Sequence, residues 1–138
     1  MSSLPLEDNQ MCYACGSKNP YGFKLDFKHP RKGILQTEVV FSEHHQGFKG
    51  IVHGGMMAVL LDEVMLNLAW VEGIPAVTAE MVIRLVKPAK TGQKIYFEGH
   101  LDEDKGRILK TSAVAKDAQG RILATASGTC VRMKIEVR

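Results

Sequence analysis

The sequence predicts an α+β fold in which an antiparallel sheet of about five to six strands wraps around one long central helix. Three observations carry that expectation. The stretch Gly54 to Val71 is rich in Met, Leu and Ala, contains no proline and stops before Gly73 and Pro75. Its apolar residues go round the whole cylinder instead of forming one stripe, as in a helix buried on all sides. On both sides of it the chain alternates apolar and polar residues between turn signals, with two such runs before the helix and four after.

Taken in order, residues 1–20 form an N-terminal arm and residues 21–138 the folded domain. Phe23, Leu25 and Phe27 alternate with Lys24, Asp26 and Lys28, which predicts a half-buried strand. Pro30 to Gly33 turns the chain, and Ile34 to Phe41 returns as the second strand of a hairpin. A polar, glycine-bearing loop then leads into the helix. Beyond it, Val77, Ala79, Met81, Ile83 and Leu85 alternate with Thr78, Glu80, Val82 and Arg84, a strand with two distinct faces. Pro88 to Gly92 turns, and Lys94–Leu101, Arg107–Lys116 and Arg121–Met133 read as three more strands joined by polar turns.

The chain has 138 residues, 45% hydrophobic and 24% charged, which suits one soluble domain and excludes a wholly disordered chain. The net charge of +3 comes from dispersed Lys and Arg, so no nucleic-acid partner is expected. Asp62 and Glu63 interrupt the longest apolar run, so no membrane span is expected either. Three cysteines cannot close a disulfide framework and fit a reducing compartment, and the start MSSLPLEDNQ lacks the features of a signal peptide. A cytoplasmic location is therefore the expectation.

Two features suggest chemistry. His53-Gly54-Gly55 stands at the head of the helix. There glycines let a ligand approach backbone N–H groups that have no intrahelical partner and lie at the positive end of the helix dipole. Such a place suits an anion or a developing oxyanion. Asp62 sits in the middle of the apolar helix, where a carboxylate needs a partner or a task. Gly54 and Asp62 are separated by eight residues, about 12 Å of helix, too far to serve one reacting carbonyl from a single chain. A catalytic use of both requires two chains with antiparallel helices across a two-fold axis.

The run His53-Gly54-Gly55-Met56-Met57-Ala58-Val59-Leu60-Leu61-Asp62, followed by the turn Lys87-Pro88-Ala89-Lys90-Thr91-Gly92, resembles the hotdog-fold acyl-CoA thioesterases, particularly the PaaI-like branch. The resemblance extends from about Gly22 to Met133. It implies hydrolysis of an acyl-CoA to the free acid and CoA, with no cofactor, at a site shared by two subunits of a homodimer. Assembly into a homotetramer is left open. It further implies that Asp62 is the general base or nucleophile and that Gly54 gives the oxyanion N–H from the other subunit. The Thr78 position carries a residue that orients the attacking water. Many relatives place an Asn where this chain has Gly47, and Gln46 offers a similar carboxamide one step earlier.

His53 reads as a hydrogen-bonding post for the loop, next to substrate at Gly55, and Lys87, Lys90, Lys94, Lys105 and Arg107 are candidates to meet the CoA phosphates. Cys12-Tyr13-Ala14-Cys15-Gly16 with Asn19-Pro20-Tyr21-Gly22 looks like an arm found in a subset of these relatives. No metal is expected. Two sulfurs fall short of the tetrahedral set a structural zinc needs, and His44, His45 or His53 would have to fold over to complete it. A turn that packs two small thiols is the simpler reading. Two other functions share the fold: a non-catalytic acyl-CoA-binding protein, and an enoyl-CoA hydratase or dehydratase.

Overall fold

The computed structural model describes residues 6–134. Its strands are β1 (Lys28–Arg31), β2 (Ile34–Val40), β3 (Ala76–Leu85), β4 (Lys94–Asp104), β5 (Ile108–Lys116) and β6 (Ile122–Arg132), with the helix α1 (Gly54–Val71) between β2 and β3. They form one six-stranded antiparallel sheet in the order β1-β2-β4-β5-β6-β3, so β1 and β3 are its edges. A short 3-10 turn, Glu43–His45, precedes the helix.

The sheet is shaped for the helix by small side chains. Gly99, Ala113 and Ala126 stand side by side across β4, β5 and β6, and Ala115 pairs with Ala124 one step along. These residues make a shallow trough in which α1 lies. Met57, Leu60, Leu61, Val64, Met65, Leu68 and Ala69 fill it at the spacing of one helical stripe. Each of the large side chains contributes about 1.5–3 kcal/mol by leaving water. The approach is closest at Gly99, where a Cβ would overlap the backbone carbonyl of Val64. Gly99→Ala is therefore expected to destabilise the fold by about 1–3 kcal/mol, because backbone has to move away from backbone. A thermal or urea melt checks this, and an unchanged midpoint would mean the helix can ride higher on the sheet at no cost.

Three expectations are corrected. The alternating run at residues 23–27 is not a sheet strand: the left-handed backbone of Lys24 (φ 50°) breaks it. The Phe23 and Leu25 N–H groups donate instead to the Tyr13 and Ala14 carbonyls of the arm. Pairing with β2 begins only at Lys28, and Pro30 lies within the edge strand β1, where its missing N–H is tolerated. The alternation still reports burial, since Leu25 is in the core and Phe23 packs edge-on against Phe41 at 5.6 Å.

The helix is not buried all round by its own chain. The sheet covers one stripe, while Trp70 and Val71 on the last turn remain 41% and 45% exposed. The faces of β3 also change over partway. Thr78 pairs with Cys130 and Glu80 with the adjacent Thr129, so Ala79 is an extra residue in a bulge. Past the bulge the parity inverts. Thr78 therefore shares the helix-facing side with Met81 and Ile83, which pack on the core, and Glu80 and Arg84 face outward.

Candidate active site

The bulge at Ala79 matters because it aims Thr78 at the helix. Thr78 Oγ1 donates to Asp62 Oδ1 at 2.7 Å, tying the edge strand to the middle of α1. Both residues are half-buried. Asp62 Oδ2 accepts no hydrogen bond from the described residues, which leaves a carboxylate oxygen free to take a proton or attack a carbon. Asp62 and Glu63 point to different sides of the helix, as neighbours about 100° apart must. Glu63 turns toward the arm and the Cys15 thiol, and burial pushes its pKa above the ordinary carboxylate value. Cys130, the cross-strand partner of Thr78, is buried and its thiol is likewise pushed up by burial.

The head of the helix is organised by His53, its N-cap. The imidazole Nδ1 accepts from Gly55 N–H at 2.9 Å, and the His53 carbonyl accepts from Met56 N–H at 2.9 Å. His53 is thus the post expected for this loop. Gly55 N–H is used by that cap, whereas Gly54 N–H donates to no acceptor among the described residues. Leu85 lies over Gly54, so that a Cβ there would sit 2.9 Å from Leu85 Cδ1, the mobile end of an exposed side chain. Gly54 is itself part of the wall of a groove of about 660 Å³, lined also by Gly47, Phe48, Ile51, His53, Leu85 and Lys87, among others.

The loop over this groove is held by backbone. Val52 N–H donates to Ala89 O at 2.9 Å, Thr91 N–H to Gly50 O at 3.1 Å, and Ile51 forms a bridge with Lys90. Lys90 is exposed beside the groove, and Lys87 is one of its walls. Gln46 is exposed, and its carboxamide oxygen accepts from Gly50 N–H at 3.0 Å. That oxygen braces the loop, and only the amide nitrogen of Gln46 is left as a donor. At Gly47 a Cβ would sit 3.6 Å from His53 Cδ2, an ordinary contact, so a side chain fits there.

The predicted residues thus fall into two groups. Gly54, Gly55, His53, Gln46 and Lys90 cluster at the start of α1, while Asp62 and Thr78 meet about 12 Å further along it. Neither Asp62 nor Thr78 lines the groove. Sequence reasoning missed Glu63 as a partner of the arm and Leu85 as the lip over Gly54. The one available signal for the first was the i, i+1 pair of acids in an apolar helix.

Residues 49–124 match the family model described as Thioesterase superfamily. Human acyl-coenzyme A thioesterase 13 is 32% identical over 98 residues, 69% of each chain. Among solved structures, the E. coli PaaI protein of the phenylacetic acid degradation operon superposes with a TM-score of 0.75 at 15% identity, over 80% of this chain and 84% of that one. A Streptococcus mutans protein bound to acetyl CoA superposes with a TM-score of 0.76 at 19% identity, over 82% and 91% of the two chains. At those identities the two structures establish a shared fold.

Proposed function

This chain belongs to the thioesterase superfamily, and from that membership we infer that it is an acyl-CoA thioesterase, hydrolysing an acyl-CoA to the free acid and coenzyme A. The hydrogen bond from Thr78 to Asp62 carries the mechanistic reading. Asp62 takes a proton from the attacking water, or attacks the thioester carbon itself, through the oxygen that Thr78 leaves free. Thr78 holds the carboxylate in place and orients the water. As the carbonyl oxygen becomes negative it is met by the Gly54 N–H of the partner subunit, at the positive end of that helix. Gln46 braces the loop through its oxygen and can offer its amide nitrogen to the carbonyl.

The separation of the two groups supports a homodimer as the working unit. Antiparallel α1 helices across a two-fold axis would set the Gly54 end of one beside Asp62 of the other and give two equivalent sites. The surface left open on one chain supports that pairing. Strand β3 is a free sheet edge, Val82 and Leu85 on it are 60% and 55% exposed, and Trp70 stands out from the uncovered side of α1. Lys87, a wall of the groove, and the exposed Lys90 beside it would meet the phosphates of coenzyme A. The apolar groove walls then receive the acyl group.

Release of free CoA thiol, followed over short, long and aromatic acyl chains, tests the activity. Turnover is expected with at least one chain class. Tight acyl-CoA binding without thiol release would favour a non-catalytic binding protein, and a change only in the absorbance of an α,β-double bond would favour a hydratase.

A further inference from the structure

Three side chains that ligate metals converge where the N-terminal arm crosses α1. Cys12, Cys15 and Glu63 are all half-buried, and their two sulfurs and a carboxylate oxygen lie within 4.8 Å of one another. They come from two distant parts of the chain, so their meeting is a product of the fold.

The arm holds its sulfurs in a fixed turn. Cys15 N–H donates to Cys12 Sγ at 3.5 Å, and Gly16 N–H donates to the Cys12 carbonyl at 2.8 Å. A Cβ at Gly16 would lie 2.5 Å from Cys12 N, so the turn closes only with glycine there. Asn19 ties the next residues back, its side-chain nitrogen donating to Met11 O at 3.0 Å. On the other side, the Tyr13 and Ala14 carbonyls accept from Phe23 and Leu25 N–H groups at 3.0 Å each, and Ala14 is buried. This places both sulfurs on one side of a rigid loop, facing the helix.

Glu63 has no Lys, Arg or His ion-pair partner among the described residues. Two thiols and a half-buried carboxylate thus face one another with no Lys, Arg or His against them among the described residues, which leaves three donor atoms open to a metal cation. Two sulfurs and one oxygen suit zinc, for which bonds of about 2.3 Å to sulfur and 2.0–2.2 Å to oxygen require donors roughly 3.6–3.8 Å apart. A small contraction of the cluster supplies that spacing. Two of the histidines the sequence suggested as completing ligands have other tasks. His53 caps α1, and His45 Nδ1 accepts from Ser42 N–H at 3.0 Å while its ring packs on Phe23.

We propose that Cys12, Cys15 and Glu63 bind one zinc ion, with a water in the fourth position, and that the ion clasps the N-terminal arm to the turn of α1 that carries Asp62. Binding forms two zinc–sulfur bonds and one zinc–oxygen bond, and the two thiol protons pass to bulk water. The ion acts as a structural clasp, so the expectation of a metal-free protein is revised here without changing the thioesterase reading.

The test is a cobalt titration of the full-length, fully reduced protein in the absence of oxygen. One equivalent of Co²⁺ is expected to produce thiolate-to-cobalt charge-transfer absorption with tetrahedral d–d bands, displaced by one equivalent of Zn²⁺. Zinc should also raise Tm of the wild-type chain. Cys12→Ser and Cys15→Ser should each weaken the charge-transfer band and the cobalt affinity by at least about tenfold, and Glu63→Gln should weaken affinity similarly while leaving the band. The proposal is overturned if the wild-type chain shows no charge transfer at one equivalent, a result that needs no variant to fold. It is equally overturned if Glu63→Gln binds cobalt as tightly as wild type. None of these readouts depends on thioester hydrolysis, so this proposal and the enzymatic one fail separately.

Discussion

Asp62→Asn is expected to fold normally and to lose about 10²- to 10⁴-fold in kcat. The substitution keeps size and shape on a half-buried flank of α1, so little stability should change. An asparagine carbonyl still accepts the hydroxyl of Thr78, so the geometry that the 2.7 Å hydrogen bond sets is kept. What disappears is the charge that takes the proton of water or attacks the thioester. A group that acts only as the reaction proceeds shows itself in kcat, with KM left near its original value. Glu63 cannot stand in for the missing acid, because it faces the arm and not Thr78. Thiol release by the purified variant, alongside its melting curve, decides the matter. A folded variant that retains activity within about threefold of wild type would remove Asp62 from the chemistry.

The central helix was legible because eighteen residues without proline and with few polar positions have few alternatives to a core helix. Strands β4 to β6 were legible for a similar reason. Leu109, Thr111, Ala113 and Ala115 alternate with more exposed residues, and a period of two has one interpretation on a sheet. The bulge at Ala79 was not legible. An inserted residue leaves the alternation intact on paper while inverting which side each residue takes, so Thr78 was grouped with Glu80 and Arg84. The resemblance to the thioesterases pointed to Thr78 as a site residue, but periodicity alone set it beside the outward-facing Glu80 and Arg84.

Residues 23–27 misled in the other direction. Their alternation reflects real burial, but the hydrogen bonds go to the arm, and a pattern of side chains does not say which backbone a strand will meet. The Cys12, Cys15 and Glu63 cluster escaped because its parts are 48 residues apart between Cys15 and Glu63, and only packing brings them together. Local spacing revealed two ligands and the fold supplied the third.

Gly54→Pro should remove the unpaired N–H at the helix head while keeping the helix, and kcat should fall by about 10²- to 10³-fold. Proline suits the first helical position, where its fixed φ matches the helix and its lost N–H had no partner among the described residues. The added ring carbons press on Leu85 Cδ1, the end of a flexible side chain that is 55% exposed and free to move aside. The decisive form of the experiment pairs this variant with Asp62→Asn. Each alone forms dimers with two damaged sites. In a heterodimer of the two, one site joins the intact Asp62 of the proline chain to the intact Gly54 of the asparagine chain, while the other site carries both lesions. Random assortment after co-refolding should therefore restore about one quarter of wild-type activity, since half the dimers are mixed and each holds one working site. A site contained within one chain gives no recovery at any mixing ratio. Recovery that rises and falls with the mixed-dimer fraction requires that the start of one α1 and the middle of another act on the same thioester.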